Sequence, residues 1–229
     1  MILITLAGAS SRFFNAGYEV VKYKLPLNRK TIIECILEFI PREEKLLLIL
    51  NKKFHDLCFM EEMLSSMKFN NSMVVEIDNT RGQFETVILG LNQSLSFWNE
   101  FDYLTIYNGD TVRKINNWNF YDCDGFIEVF ESDGTHWSFV DQLGQVNKVV
   151  EKNRISSLCS SGLYFFKHIK YLFDSKEEYY SLNSNELFVA PFYNLLIKKG
   201  LNIQSGIVES ENFLFCGTPT EYHESLFLV

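Results

Sequence analysis

Met1–Lys30 reads MILITLAGASSRFFNAGYEVVKYKLPLNRK, and the order of residue types in it decides the fold. Met1 to Leu6 is an apolar run, short enough for one buried strand. A loop of small residues follows at once: Ala7, Gly8, Ala9, Ser10 and Ser11, then Arg12. Small side chains let backbone N–H groups approach an anion, and the two serine hydroxyls add donors. Arg12 adds a permanent charge and a fork of donors. Lys22 and Lys24 follow closely enough to fold back over the same anion. A strand feeding a donor-rich loop predicts a phosphate site at the carboxyl end of a sheet. The bland reading of the same residues is a turn beside solvated lysines. The loop is neither GxGxxG nor GxxxxGK[ST], so a standard dinucleotide site and a P-loop are both unsupported.

Further along, strands and helices alternate. Thr31 to Phe39 carries apolar residues at helical spacing and stops at Pro41. Lys45–Leu50 and Met73–Ile77 read as buried strands, with a helix over Lys53–Met67 between them. Asp78 to Leu91, DNTRGQFETVILGL, is a polar loop in which Gly82 permits close backbone approach, then a helix opening near Gln83. Tyr103–Tyr107 is another strand, ending in Asn108-Gly109-Asp110. That tripeptide serves as a strand-ending turn, or Asp110 holds Mg²⁺ near phosphates, because hard cations want oxygen ligands. Cys123–Phe130 reads as a strand, and His136–Ser156 as two strands joined by a turn at Asp141–Gly144. His136 has no carboxylate or nucleophile near it in sequence and reads as structural. Such alternation predicts an α/β fold with a Rossmann-like, mixed, mainly parallel sheet flanked by helices, as one domain over 1–229.

Composition bounds the function. The chain has 229 residues, 47% hydrophobic and 22% charged, a globular balance. Formal net charge is -8, which argues against nucleic acid or an anionic membrane as partner. Arg12, Lys22, Lys24, Arg29 and Lys30 break that acidic background, a pattern suited to a small anionic ligand. No apolar run approaches the roughly 18–20 residues of a membrane span. Five scattered cysteines without CxxC spacing predict reduced thiols and a cytoplasmic protein. The 21 Phe and 11 Tyr leave room for a homo-oligomer interface.

LAGASSRF, then AGY, then KYKLPLNRKTIIE, resembles the opening of the sugar-phosphate nucleotidyltransferases, also called nucleotide-sugar pyrophosphorylases. In the branch it resembles, the family lysine sits in a Pro-Lys pair; here Val21 stands before Lys22. Later segments resemble the family in order. They are TRGQ-x-ETV, FDYLTIYNGDT, HWSFVDQLGQVNKVVEKNRIS, SLCSSGLYFF, Asn185-Glu186 and FCGTPTEYHESL. TRGQ-x-ETV is similar to a branch tied to bacterial capsule and surface-glycan synthesis. Asn185 is a candidate N-cap, and Thr218 with Pro219 opens a last helix.

The resemblance implies a role for each matched position. Leu6, Ala7, Gly8, Ala9, Ser10, Ser11, Gly82, Gln83, Asn108 and Gly109 would bind the nucleotide. Arg12 and Lys22 would be catalytic, and Asp110 would hold Mg²⁺. Gly125, Glu151, Lys152, Gly162 and Glu186 would contact the acceptor, with Gly162 alternatively a close-packing position. Many members carry an aspartate two residues before the Gly-Thr pair as a second metal ligand. Here that position is Phe215, followed by Cys216, so a second protein ligand is absent or supplied elsewhere. The implied reaction joins a nucleoside monophosphate from CTP, UTP or dTTP to a phosphorylated small molecule, a sugar 1-phosphate or similar, releasing pyrophosphate. A cytidylyltransferase acting on a phosphorylated alcohol or amino compound is the alternative. A non-catalytic nucleotide-binding regulator is another, as is a glycosyltransferase; Asp122-Cys123-Asp124 has Asp-x-Asp spacing but begins a strand.

Overall fold

The apolar runs assemble around β1, the strand that opens the chain. The computed structural model describes residues 1–228 except 55, 118, 119, 121, 184 and 185. Its first half alternates: β1 (Ile2–Leu6), α1 (Ser11–Asn15), the short strands β2 (Pro26–Leu27) and β3 (Lys30–Thr31), α2 (Ile32–Leu37), β4 (Leu46–Asn51), α3 (Leu57–Ser66), β5 (Ser72–Ile77), α4 (Gln83–Gln93) and β6 (Leu104–Asn108). There follow β7 (Thr111–Arg113), β8 (Gly125–Glu131), β9 (Ser138–Val140), β10 (Gly144–Gln145), β11 (Val149–Glu151) and β12 (Leu158–Phe166). The chain continues through α5 (Lys170–Leu182), α6 (Tyr193–Lys198), β13 (Ile203–Ile207), β14 (Phe213–Phe215) and α7 (Pro219–Leu226).

The main sheet runs β10-β13-β8-β12-β6-β1-β4-β5. β1 lies parallel to β4 and β6, β4 to β5, and β13 to β8. β12 runs antiparallel to β6 and β8, and β10 runs antiparallel to β13 at the edge. The sheet is therefore mixed and mainly parallel, with helices on both faces. That arrangement explains why β1 is apolar at every position but Thr5 rather than at alternate ones. Leu3 packs on one face with Leu47, Ile49 and Phe84, while Ile2, Ile4 and Leu6 pack on the other with Leu48, Ile33 and Ile36. Truncating one of these side chains to Ala costs about 2–5 kcal/mol.

Helix α2 begins where the sequence places it. Thr31 and Glu34 form a reciprocal capping box, with Thr31 N–H donating to the Glu34 carboxylate at 2.7 Å. α3 starts later than the Lys53 expected from periodicity. Asp56 accepts from Phe59 N–H at 3.1 Å and sets the start, and Lys52–Phe54 form a 3-10 turn. The strand pair expected over His136–Ser156 exists as β9 against β11. Its turn region does more than turn: Gly144–Gln145 leaves to become β10 on the edge of β13. Helix α5 had no counterpart in the sequence reading; it buries only a narrow stripe of Leu172, Ser175 and Tyr179. After Leu187 the chain makes a 3-10 turn through Pro191 before α6. The expected cap Asn185 lies outside the described residues. No described helix is long and apolar enough to cross a membrane, and all five cysteines are free thiols.

Candidate active site

A cavity of about 700 Å³ opens at the carboxyl ends of β1 and β6. Ala7, Gly8, Ala9, Arg12 and Lys22 line one side, with Gly82 and Gln83 beyond them. Asn108, Gly109 and Asp110 form its floor, and Glu151, Lys152 and Glu186 face from the far wall. Asn51, at the end of β4, ties the small-residue loop down by donating to Ala7 O at 3.1 Å and to Asn79 at 2.9 Å. Gln83 spends its amide N–H groups on Asn108 (2.6 Å) and Thr5 (3.0 Å), which cross-links the cavity floor.

Lys22 and Lys24 part company. They bracket Tyr23, which is buried, in a single 3-10 turn. Lys22 N–H donates to Ser10 Oγ at 3.1 Å, and the Lys22 ammonium pairs with the Asp110 carboxylate. Each of those side chains is about one-fifth exposed. Lys24 instead pairs with Asp56 and lies 4.8 Å from the Phe59 ring centre, away from the cavity. The basic cluster read from the sequence is thus divided. Arg29 and Lys30 border a second hollow, where Lys30 pairs with Glu38.

Five expected contacts are not in the cavity wall. Leu6 is buried beneath it, filling the space beside Gly109. The Ser10 hydroxyl is engaged by Lys22, and Ser11 opens α1. Gly125 pairs with Phe166, which pairs with Leu104 at the amino end of β6, so it sits at the opposite end of the sheet from the site. A Cβ there would lie 2.7 Å from the Tyr193 ring, and packing alone accounts for it. Gly162 has φ +91°, and a Cβ would lie 2.3 Å from Asn108 Nδ2. Its missing side chain is the room Asn108 occupies, the close-packing alternative.

On the far wall, burial pushes the Glu151 carboxyl above the usual carboxylate range; a hydrogen bond from Ser138 and the charge of Lys152 partly oppose it. Lys152 adopts a left-handed backbone (φ +53°), uncommon outside glycine. Its ammonium lies 3.5 Å from Glu186 and 4.4 Å from the Phe188 ring centre. Tyr164 borders the same wall, its hydroxyl pushed up to about 12 by burial.

Several lining residues had no signal in the sequence. His136, read as structural, lines the cavity with Trp137, and His136 Nε2 is 3.1 Å from Glu221 Oε1. Trp137 meets Phe215 with ring centres 4.9 Å apart. β14 pairs with β7, Phe215 opposite Thr111, and Cys216 N–H donates to Asp110 O at 2.7 Å. This lays Gly217 over Asp110. A Cβ on Gly217 would lie 3.1 Å from Glu221 Oε2 and 3.4 Å from Asp110 Oδ2. Oxygen donors of this kind suit Mg²⁺, which takes one or two carboxylates and completes its shell with phosphate oxygens and water. No group of three metal-ligating side chains lies together among the described residues. The only sequence clue to Glu221 was Thr218, whose side chain accepts Glu221 N–H at 3.2 Å and sets the first turn of α7.

No family model and no curated protein matches the sequence. Solved structures do. The nucleoside-diphosphate-sugar pyrophosphorylase from Vibrio cholerae RC9 shares 35% identity over 99% of this chain and 100% of its own, with a TM-score of 0.91. A protein described as a glucose-1-phosphate thymidylyltransferase from Bacillus anthracis is 17% identical, with a TM-score of 0.80 over 99% of this chain and 94% of its own. The inositol-1-phosphate CTP transferase from T. maritima is 13% identical, with a TM-score of 0.78 over 99% and 94%. The two distant structures share the fold. The identity and full coverage of the first carry the assignment: the chain belongs to the sugar-phosphate nucleotidyltransferases, the nucleotide-sugar pyrophosphorylases.

Proposed function

We propose that the chain, as one domain over 1–229, transfers a nucleoside monophosphate from CTP, UTP or dTTP to a phosphorylated small molecule. The observation that carries this reading is the Lys22–Asp110 pair beside the Ala7–Ala9 loop, facing Glu151, Lys152 and Glu186 across one cavity. The loop N–H groups and Arg12 hold the β- and γ-phosphates. Gly82 and Gln83 lie beside the base. Lys22 neutralises charge developing at the α-phosphate, preorganised donors being worth most where charge develops. Glu151 and Glu186 accept hydrogen bonds from the acceptor, and Lys152 meets its phosphate. An acceptor phosphate oxygen attacks the α-phosphorus, the bond to the bridging oxygen breaks, and pyrophosphate leaves. Positioning supplies most of the rate, since a phosphate monoester is already an anion and needs no side-chain base. Asp110 is the proposed holder of Mg²⁺, which supplies charge neutralisation on the triphosphate.

A sugar 1-phosphate is the first acceptor class to test, with bacterial surface polysaccharide in the cytoplasm as the setting. A phosphorylated amino compound is favoured by a separate observation. Trp137, Tyr164, Phe188 and Phe215 line the cavity together with Glu151 and Glu186, and aromatic faces with carboxylates suit an organic cation. Pyrophosphate release is the test, with Mg²⁺, each nucleoside triphosphate and both acceptor classes. Release requiring one triphosphate and one acceptor is expected. A thermal shift from a triphosphate without release across the panel would turn the reading to a binding-only regulator.

A further inference from the structure

We infer that Glu221 is a second carboxylate of the metal site, facing Asp110 across Gly217, and that His136 is the residue that positions it. This rests on the nucleotidyltransferase reading of the cavity.

Position 215 is taken by an aromatic ring. Phe215 packs on Trp137 and on Phe130, with ring centres 4.9 and 4.8 Å away. Cys216 is fully buried, and its N–H donates to Asp110 O. Glu221 reaches the same space from another element. As the third residue of α7 it points back over the turn before it, the direction helical side chains take. Thr218 fixes that turn through Glu221 N–H, and the turn is fixed to Asp110 through Cys216 N–H. His136, from the segment before β9, lies against one oxygen, Oε1. The other, Oε2, borders the space over Gly217 that Asp110 Oδ2 borders from its own side. Glycine at 217 keeps that space open. Glu221 is otherwise well covered, its side chain 18% exposed, whereas His136 is 57% exposed. Lys22 pairs with Asp110, so two carboxylates face a single ammonium here. A divalent cation would balance that excess of negative charge.

The test is Mn²⁺ binding to the full chain, followed by loss of the free-ion EPR signal, for wild type, Asp110→Asn, Glu221→Gln, His136→Ala and His136→Gln. Glu221→Gln is expected to weaken Mn²⁺ binding roughly tenfold or more, as Asp110→Asn does, and His136→Ala by a smaller factor that His136→Gln partly restores. Circular dichroism checks that each variant is folded; His136→Ala, exposed and outside every strand and helix, carries the test if Glu221→Gln is not. Wild-type binding in Glu221→Gln alongside loss in Asp110→Asn would overturn the inference, as would wild type that binds no Mn²⁺. Failure to release pyrophosphate with any acceptor would count against the catalytic reading and leave the Mn²⁺ result standing.

Discussion

Two lysines, two residues apart, receive opposite duties from one 3-10 turn, and substitution separates them. Lys22→Ala removes the cation held at Asp110. Turnover should fall about 10²–10³-fold, the usual loss when one preorganised donor is deleted. Lys24→Ala breaks a partly exposed pair with Asp56, worth about 0–1 kcal/mol, and should leave turnover near wild type. Steady-state pyrophosphate release in both folded variants decides; equal effects would refute the division. Gly82 makes a sharper case. It sits at φ +149°, ψ −178°, a region glycine alone enters easily. It lies between two backbone hydrogen bonds, Leu187 N–H to Arg81 O and Phe84 N–H to Leu187 O, both 2.9 Å. A Cβ would come within 2.5 Å of Leu187 O. Gly82→Ala should therefore cost about 1–3 kcal/mol, or roughly 2–4 °C of Tm per kcal/mol. A melting curve unchanged by the substitution would show that the two segments can part freely. The loop-forming residues were legible because their small size has a local meaning. The fates of Lys24 and Ser10 were not, since alternation within a 3-10 turn and a hydroxyl's choice of partner are settled by neighbours distant in sequence.

Among the elements, β7 is the one on which the site depends most and which the sequence advertises least. It is three residues long and follows Asp110 directly. Its anchor is Arg113, which forks onto Glu128 of β8 at 2.8–3.1 Å and donates to Ile115 O and Asn117 O. Ser161 of β12 donates to the same glutamate at 2.8 Å. Arg113 is 2% exposed and Glu128 1%. Removing one partner of such a pair leaves a buried charge uncompensated, at about 3–5 kcal/mol. Glu128→Ala should lower stability by that amount in urea, and the double variant Arg113→Met, Glu128→Leu by clearly less. A single variant as stable as wild type would mean that water reaches the pair. Nothing in a single sequence links Arg113 to Glu128, because the pairing is made by strand order. Strong apolar strands such as β1, β4 and β6 were legible from composition, whereas β7, β10 and α5 have too few buried residues to show a period.

At the scale of the molecule, strand order gathers the site. It brings segments from both ends of the chain, Ala7–Ala9 and Gly217–Glu221, onto one cavity with Asp110 and Glu151. Bringing acids together in an acidic chain has a cost that pH reveals. The chain carries 29 acidic side chains, so its overall pH–stability curve is a composite. The difference between Glu151→Gln and wild type isolates one of them. Burial raises the folded-state pKa of Glu151 above its unfolded value. The folded state therefore holds this proton more tightly. Its contribution to stability is fully present below the ordinary glutamate range, about pH 4.3, and is lost as pH rises through the raised value. Glutamine mimics the protonated form and does not titrate. The advantage of Glu151→Gln over wild type should thus grow from the acid side of that range toward neutrality and then level off. Paired urea titrations across that window measure it. A difference that is flat, or that shrinks with rising pH, would mean that the Ser138 hydrogen bond and Lys152 outweigh burial, and that the far wall is built to hold Glu151 charged.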